Sequence, residues 1–229
     1  MSVRRLIPLS LVLACGLPAL AEASGNLGIA TDPVPRPESP PVTPESRGDE
    51  AWAFGVSAFA YFVPDDRNYL QPTITADRGG LHLEARFNYE AQETGSVWFG
   101  GNLSGGDALA WELTPMIGGV FGATTGIAPG VRGSLSWWRL ELSVEGEYVM
   151  DAGDSAGTFL YSWTELSLAP LDWFRLGVVS QRTRAYASDL DIQRGFLVGF
   201  TYKAVDLSAY LFNPDESKPP VVVALAVVL

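Results

Sequence analysis

Between Leu81 and Glu90, within the stretch GGLHLEARFNYEAQETG, apolar and polar residues alternate without a break. Successive side chains of a strand face opposite sides, so the stretch reads as a β-strand with one apolar and one charged face. The same period recurs to the end of the chain, punctuated by turn residues. Strands are expected over about 51–63, 69–77, 81–91, 96–104, 109–121, 127–137, 140–150, 158–168, 173–183, 193–203, 206–213 and 221–229. Most exceed the roughly 5–6 residues of an average globular strand and match the roughly 9–11 that a tilted membrane strand needs. Strands of this length do not fit a sandwich.

The connections alternate in length. DRGG, SGGDA, Trp138-Arg139, PLD and AV are short, whereas PDDRN, QETG, GATTG, DAGDSAG, RAYASDLDI and NPDESKPP are mostly longer and more polar. Short turns at one end and longer loops at the other are the asymmetry of an outer-membrane barrel whose short turns are periplasmic.

The first residues change the compartment. MSVRRLIPLSLVLACGLPALAEASG carries Arg4 and Arg5, an apolar run from Leu6 to about Leu20, and the small residues Ala21 and Ala23, as a secretory signal does. Residues 1–23 are expected to be removed, although Val12-Leu13-Ala14-Cys15 also loosely fits a lipidation site at Cys15. Residues 24–50 follow, with six prolines between Pro33 and Pro44 and no aromatic ring. Such a segment buries too little apolar surface to fold and reads as a disordered periplasmic linker. Residues 51–229 form the barrel domain.

Composition removes several functions. A formal net charge of −11 and 15 Lys+Arg against 26 Asp+Glu exclude a nucleic-acid partner, which demands clustered basic residues. One Cys supplies neither a disulfide framework nor a Cys-rich metal site, and no phosphate-binding, zinc-protease or EF-hand motif is present. In DAGDSAG, Ala and Gly occupy the positions where calcium ligands belong. No cofactor and no metal are expected.

With these strands, turns and leader in place, residues 51–229 resemble the bacterial outer-membrane β-barrel proteins. TPMIGGVFG and ELSVEGEYV look like stretches of small uncharacterised members, a likeness that carries no known activity. The resemblance implies an all-β, closed, up-and-down antiparallel transmembrane barrel of about 12 strands, surrounded by outer-membrane lipid and placed there by the barrel-insertion machinery. Barrels of this kind usually end in Phe or Trp, whereas this chain ends in Leu229.

In a membrane barrel the apolar face meets lipid and the charges line the interior. Leu81, Leu83, Ala85, Phe87 and Tyr89 are therefore assigned to lipid. The same parity gives lumen-lining Glu84, Arg86, Glu90, Glu112, Arg132, Glu141, Glu145, Glu147, Glu165 and Arg175, with polar Gln71, Thr73, Thr75, Asn88, Asn102, Thr114, Ser134 and Ser143. Arg182, Arg184 and Arg194 cannot be placed by parity. Outward rings form two belts: Trp52, Phe54, Trp111, Trp137, Phe174 and Tyr202 at the short-turn end, and Phe62, Phe87, Tyr89, Phe121 and Tyr148 at the other. A two-residue turn at Trp138-Arg139 sets Arg132 opposite Glu145 as an ion pair. Pro115 and Pro129 interrupt their strands. With Phe121 opposite Ile127 they face Gly133 and Gly119, where paired bulges are expected.

Two functions remain in view: a narrow pore or binding channel for small hydrophilic solutes, or a closed structural or partner-binding barrel. Twelve strands fall between the filled interior of about eight and the open channel of about sixteen. Membrane lipid hydrolases need a serine and a histidine as its base. The one histidine, His82, follows the DRGG turn on the inward parity, on the wrong face and at the wrong depth, and no enzymatic activity is expected. Glu145 and Glu147 share a face, but mutual neutralisation with lumen arginines is the plainer role.

Overall fold

A computed structural model describes residues 51–153, 157–185 and 191–229, without the side chains of 183–185 and 191. The expected signal segment 1–23, the linker 24–50, Asp154 and Ser155 of the DAGDSAG loop, and the Arg184 side chain lie outside the described residues.

Thirteen strand segments follow one another: β1 (Ala53–Phe62), β2 (Tyr69–Arg78), β3 (Leu81–Phe87), β4 (Thr94–Gly101), β5 (Leu103–Gly105), β6 (Leu109–Gly122), β7 (Gly126–Trp137), β8 (Leu140–Asp151), β9 (Phe159–Leu171), β10 (Phe174–Ala185), β11 (Asp191–Tyr202), β12 (Val205–Phe212) and β13 (Val221–Val228). Each pairs antiparallel with its neighbours, and β1 pairs with β13 to close the ring. Segments β4 and β5 both pair with β6 in one unbroken register, Gly100 opposite Met116 and Leu103 opposite Leu113. They are two parts of one barrel strand, so the barrel is twelve-stranded. The interruption at Gly101–Asn102 falls opposite Pro115, which has no N–H to give to the ladder.

Alternation decides which face goes where. On β3, His82, Glu84 and Arg86 are buried and Ala85 and Phe87 are exposed. Outward Ile74, Val97, Phe99 and Phe196 are all more than half exposed. A soluble protein does not leave such a continuous apolar exterior to water, whereas lipid solvates it and the closed ladder satisfies the backbone.

Three expectations need correction. Tyr89 does not face lipid: Asn88 adopts φ 57°, its backbone N–H donates to Thr94 at 2.7 Å, and the chain turns inward, carrying the Tyr89 ring to 5.7 Å from that of Tyr161. The β6–β7 register sets Gly119, not Phe121, opposite Ile127. Pro115 consequently faces Val131 and Pro129 faces Ile117, not glycines, and that ladder runs without a shift, so there are no paired bulges there. The one register shift of the β9–β10 pair lies between Phe174 and Leu176.

Short connections at one end use left-handed residues: Trp138 (φ 54°) and Lys203 (φ 55°) each open a two-residue hairpin turn. That geometry matches the twist of the flanking strands.

Candidate functional site in the barrel interior

Inside the ring the described side chains form three zones. Near the long-loop end lies a layer of rings. Trp163 packs edge-on to Tyr210 at 5.3 Å and to Phe212 at 5.6 Å, and Tyr61 stacks on Tyr69 at 4.6 Å. Leu197, Val179, Val222 and Ala224 fill the spaces between, all buried. These rings come from inward parity, as on β9, where Tyr161 and Trp163 share a face with Glu165.

The middle zone is charged. Arg86 donates from Nε to Glu84 at 2.6 Å and from Nη1 to Glu147 at 3.0 Å, and the same Nη1 is 3.0 Å from Glu145. Arg132 reaches Glu84 at 3.1 Å and Glu145 at 3.3 Å. Only the second contact follows from strand register; the first crosses the interior from β7 to β3. The Arg86 guanidinium is also sandwiched by rings, 4.3 Å from the Tyr89 centroid and 4.6 Å from that of Trp98. Glu90 joins from the β3–β4 loop, accepting from Ser96 Oγ at 2.5 Å and Trp98 Nε1 at 3.2 Å. That pins the loop inside the barrel mouth. The Trp98 indole lies over Gly118 and Gly130, where an added Cβ would meet it at 2.6 Å and 2.9 Å. Two residues without side chains thus make its slot.

His82 bridges toward the short turns, with Nδ1 2.7 Å from Asp77 and Nε2 3.0 Å from Glu84. Both ring nitrogens are taken by carboxylates. Asp77, absent from the expected lining, also accepts from Asn102 Nδ2 at 2.6 Å, and Asn102 in turn accepts from Thr114 Oγ1 at 2.7 Å. The break opposite Pro115 is thereby tied to the interior network.

The third zone, at the short-turn end, is wet. Glu112 and Glu141 are exposed. Arg175 donates to Asp206 at 2.9 Å and to Ser208 at 2.6 Å. Glu165, above them, accepts from Trp163 Nε1 at 2.8 Å and Tyr210 at 2.9 Å, joining the wet zone to the rings. Of the expected lining residues, Glu84, Arg86, Glu90, Arg132, Glu145 and Glu147 converge in one network. Glu112, Glu141, Glu165 and Arg175 stand apart from it, and Asn88 serves the loop turn, donating to the Leu70 carbonyl at 3.0 Å.

Among the described side chains of the interior, Arg86, Arg132 and Arg175 stand against Asp77, Glu84, Glu90, Glu112, Glu141, Glu145, Glu147, Glu165 and Asp206, an excess of acids. Among the described residues, the buried carboxylate oxygens Glu90 Oε2 and Glu147 Oε1 have no hydrogen-bond donor, and Glu145 Oε1 has the 3.0 Å ion-pair contact with Arg86. Among the described residues no group of three or more His, Cys, Asp or Glu is arranged to hold a metal.

No family model matches the sequence, and no curated protein matches it either. Solved structures do match in fold. A KdgM porin superposes with a TM-score of 0.56 at 10% identity, covering 76% of this chain and 98% of that one. A second structure, described as KdgM porin in complex with disordered oligogalacturonate, gives 0.54 at 9% identity over the same shares. OccK5 of Pseudomonas aeruginosa reaches 0.42 at 5% identity, covering 78% of this chain and 66% of that one. In fold, this chain is a porin-like outer-membrane β-barrel.

Proposed function

We propose that the chain is an outer-membrane channel for small hydrophilic solutes, with a preference for cations, held closed at its long-loop end by the aromatic layer and the inward β3–β4 loop. The asymmetry of the interior carries this reading. Glu112 and Glu141 meet water at the short-turn end, whereas the side chains of Glu84 and Arg86 beneath the rings are 0% exposed. A wall lined mostly by carboxylates concentrates cations and repels anions. The oligogalacturonate named with the KdgM porin is a polyanion, and the excess of acids here argues against carrying that ligand over. His82, with a carboxylate on each nitrogen, has none left to activate a serine, which supports a non-enzymatic barrel.

A closed structural barrel is the second reading, favoured by the buried rings that fill the long-loop half. Planar-bilayer recording separates the two. Under the channel reading, the protein shows small or rare openings, and Trp163→Ala with Tyr210→Ala raises conductance. The reversal potential in a salt gradient then indicates cations, less so after Glu112→Gln with Glu141→Gln. Zero conductance in both the native and the ring-truncated protein would leave the structural reading standing.

A further inference from the structure

The barrel exterior near the long loops is apolar at Phe62, Leu70, Phe87, Phe121, Ile127 and Leu160, all exposed. One place departs from this. Arg182 lies opposite Ile192 and Arg194 opposite Ser180 on the paired strands β10 and β11. The two arginines are therefore diagonal neighbours on one face, and they share its outward parity with exposed Val178, Ile192 and Phe196. Both lie three residues from the long-loop ends of their strands.

We propose that Arg182 and Arg194 bind the phosphate of a lipid headgroup in the outer leaflet. Like charges set side by side on a sheet repel, and an apolar neighbourhood does not screen them. Arg182 has no charged partner among the described residues. Arg194 is 78% exposed, and its carboxylate partner among the described residues, Asp215, is 3.9 Å away at the limit of an ion pair. Depth permits the arrangement: an outward arginine is costly at the bilayer midplane but nearly without cost near the interface. Headgroup phosphates stand at that level. A guanidinium fork matches a phosphate with two short, charge-assisted hydrogen bonds, and a phosphate between the pair converts their repulsion into attraction. Asp215 and Glu216 belong to the β12–β13 connection, on the far side of β11 from Arg182. The phosphate therefore belongs between β10 and β11. The proposal rests on the lipid-facing reading of the exterior and not on conduction.

The test uses the purified full-length protein in detergent, with diphosphoryl lipid A and its dephosphorylated form as probes and lipid retention followed by native mass spectrometry. Native protein should retain the phosphorylated lipid about tenfold more strongly, and Arg182→Gln with Arg194→Gln should abolish that preference. Arg182→Lys with Arg194→Lys, which keeps the charge and loses the fork, should fall between and serves if the glutamine variant does not fold. Equal retention of the two lipids by native protein overturns the site. So does a preference that survives both substitutions, which would put the phosphate elsewhere. Inorganic phosphate binding as tightly as the lipid would overturn the lipid as its source.

Discussion

The Arg86 guanidinium crosses the barrel interior to Glu147, donating at 3.0 Å from β3 to β8 with β4, β6 and β7 between them on the wall. A contact of that kind ties opposite parts of the ring together, and both side chains are almost wholly buried. Removing one member of such a network strands the others' charges, which costs about 3–5 kcal/mol. Arg86→Met should therefore lower the urea midpoint of the folded barrel strongly, and adding Glu147→Gln should recover part of the loss. Additive effects of the two substitutions would mean that the residues do not act as a pair.

Arg132 is the milder position. Its side chain is 38% exposed, and Glu145 keeps Arg86 at 3.0 Å when Arg132 is gone. Arg132→Ala should destabilise clearly less than Arg86→Met in the same unfolding assay, and Arg132→Ala with Glu145→Ala less than the sum of the two single changes. A loss as large as that of Arg86→Met would show that Arg132, not Arg86, organises the interior.

The Trp98 slot gives a packing prediction. A Cβ at Gly118 would meet the indole at 2.6 Å, and backbone on a closed ladder has little room to yield. Gly118→Val should displace the ring from Arg86 and from Ser96 Oγ, to which its Nε1 donates at 2.9 Å. The expected readout is a red-shifted tryptophan emission relative to native protein, absent in the control Gly119→Ala, whose Cβ would meet nothing within 4 Å. Unchanged emission in Gly118→Val would disprove the slot.

Leu142 and Ser143 test which face meets lipid. Leu142 lies outward on β8, two residues in from its short-turn end, and Ser143 faces the interior opposite Glu165. Leu142→Arg should cost up to about 2 kcal/mol of stability, because the cost of an outward arginine falls from its midplane value toward the interface. Ser143→Arg should be tolerated beside the acids of the wet zone. Folded fractions that are equal for the two variants would contradict the parity.

Membrane orientation follows from the loops. Ser217, in the exposed β12–β13 connection, should react as cysteine with an impermeant thiol reagent on intact cells. Ser104, at the opposite end on β5, should react only after the outer membrane is opened. The reverse pattern would invert the barrel and move the Arg182–Arg194 pair to the inner leaflet.

Strand number, strand length and facing were legible along the chain because a strand's side chains alternate with period two whatever surrounds them. Residues as far apart as Phe54 and Tyr202 could be assigned outward from that rule alone. The Arg132–Glu145 pair was legible for a related reason: a two-residue turn at Trp138 fixes the register of everything upstream on the hairpin. The closing contacts were not. Arg86 with Glu147, Arg132 with Glu84 and Trp163 with Phe212 join strands that are not neighbours in sequence, so only the closed ring brings them within reach. Tyr89 shows the limit most plainly. Its alternation says lipid, but a left-handed Asn88 ends the period one residue earlier and turns the ring inward. Parity holds while the chain stays in the sheet; where the chain leaves it, tertiary packing decides, here by offering Arg86 and Tyr161 an aromatic partner and Glu90 two hydrogen-bond donors.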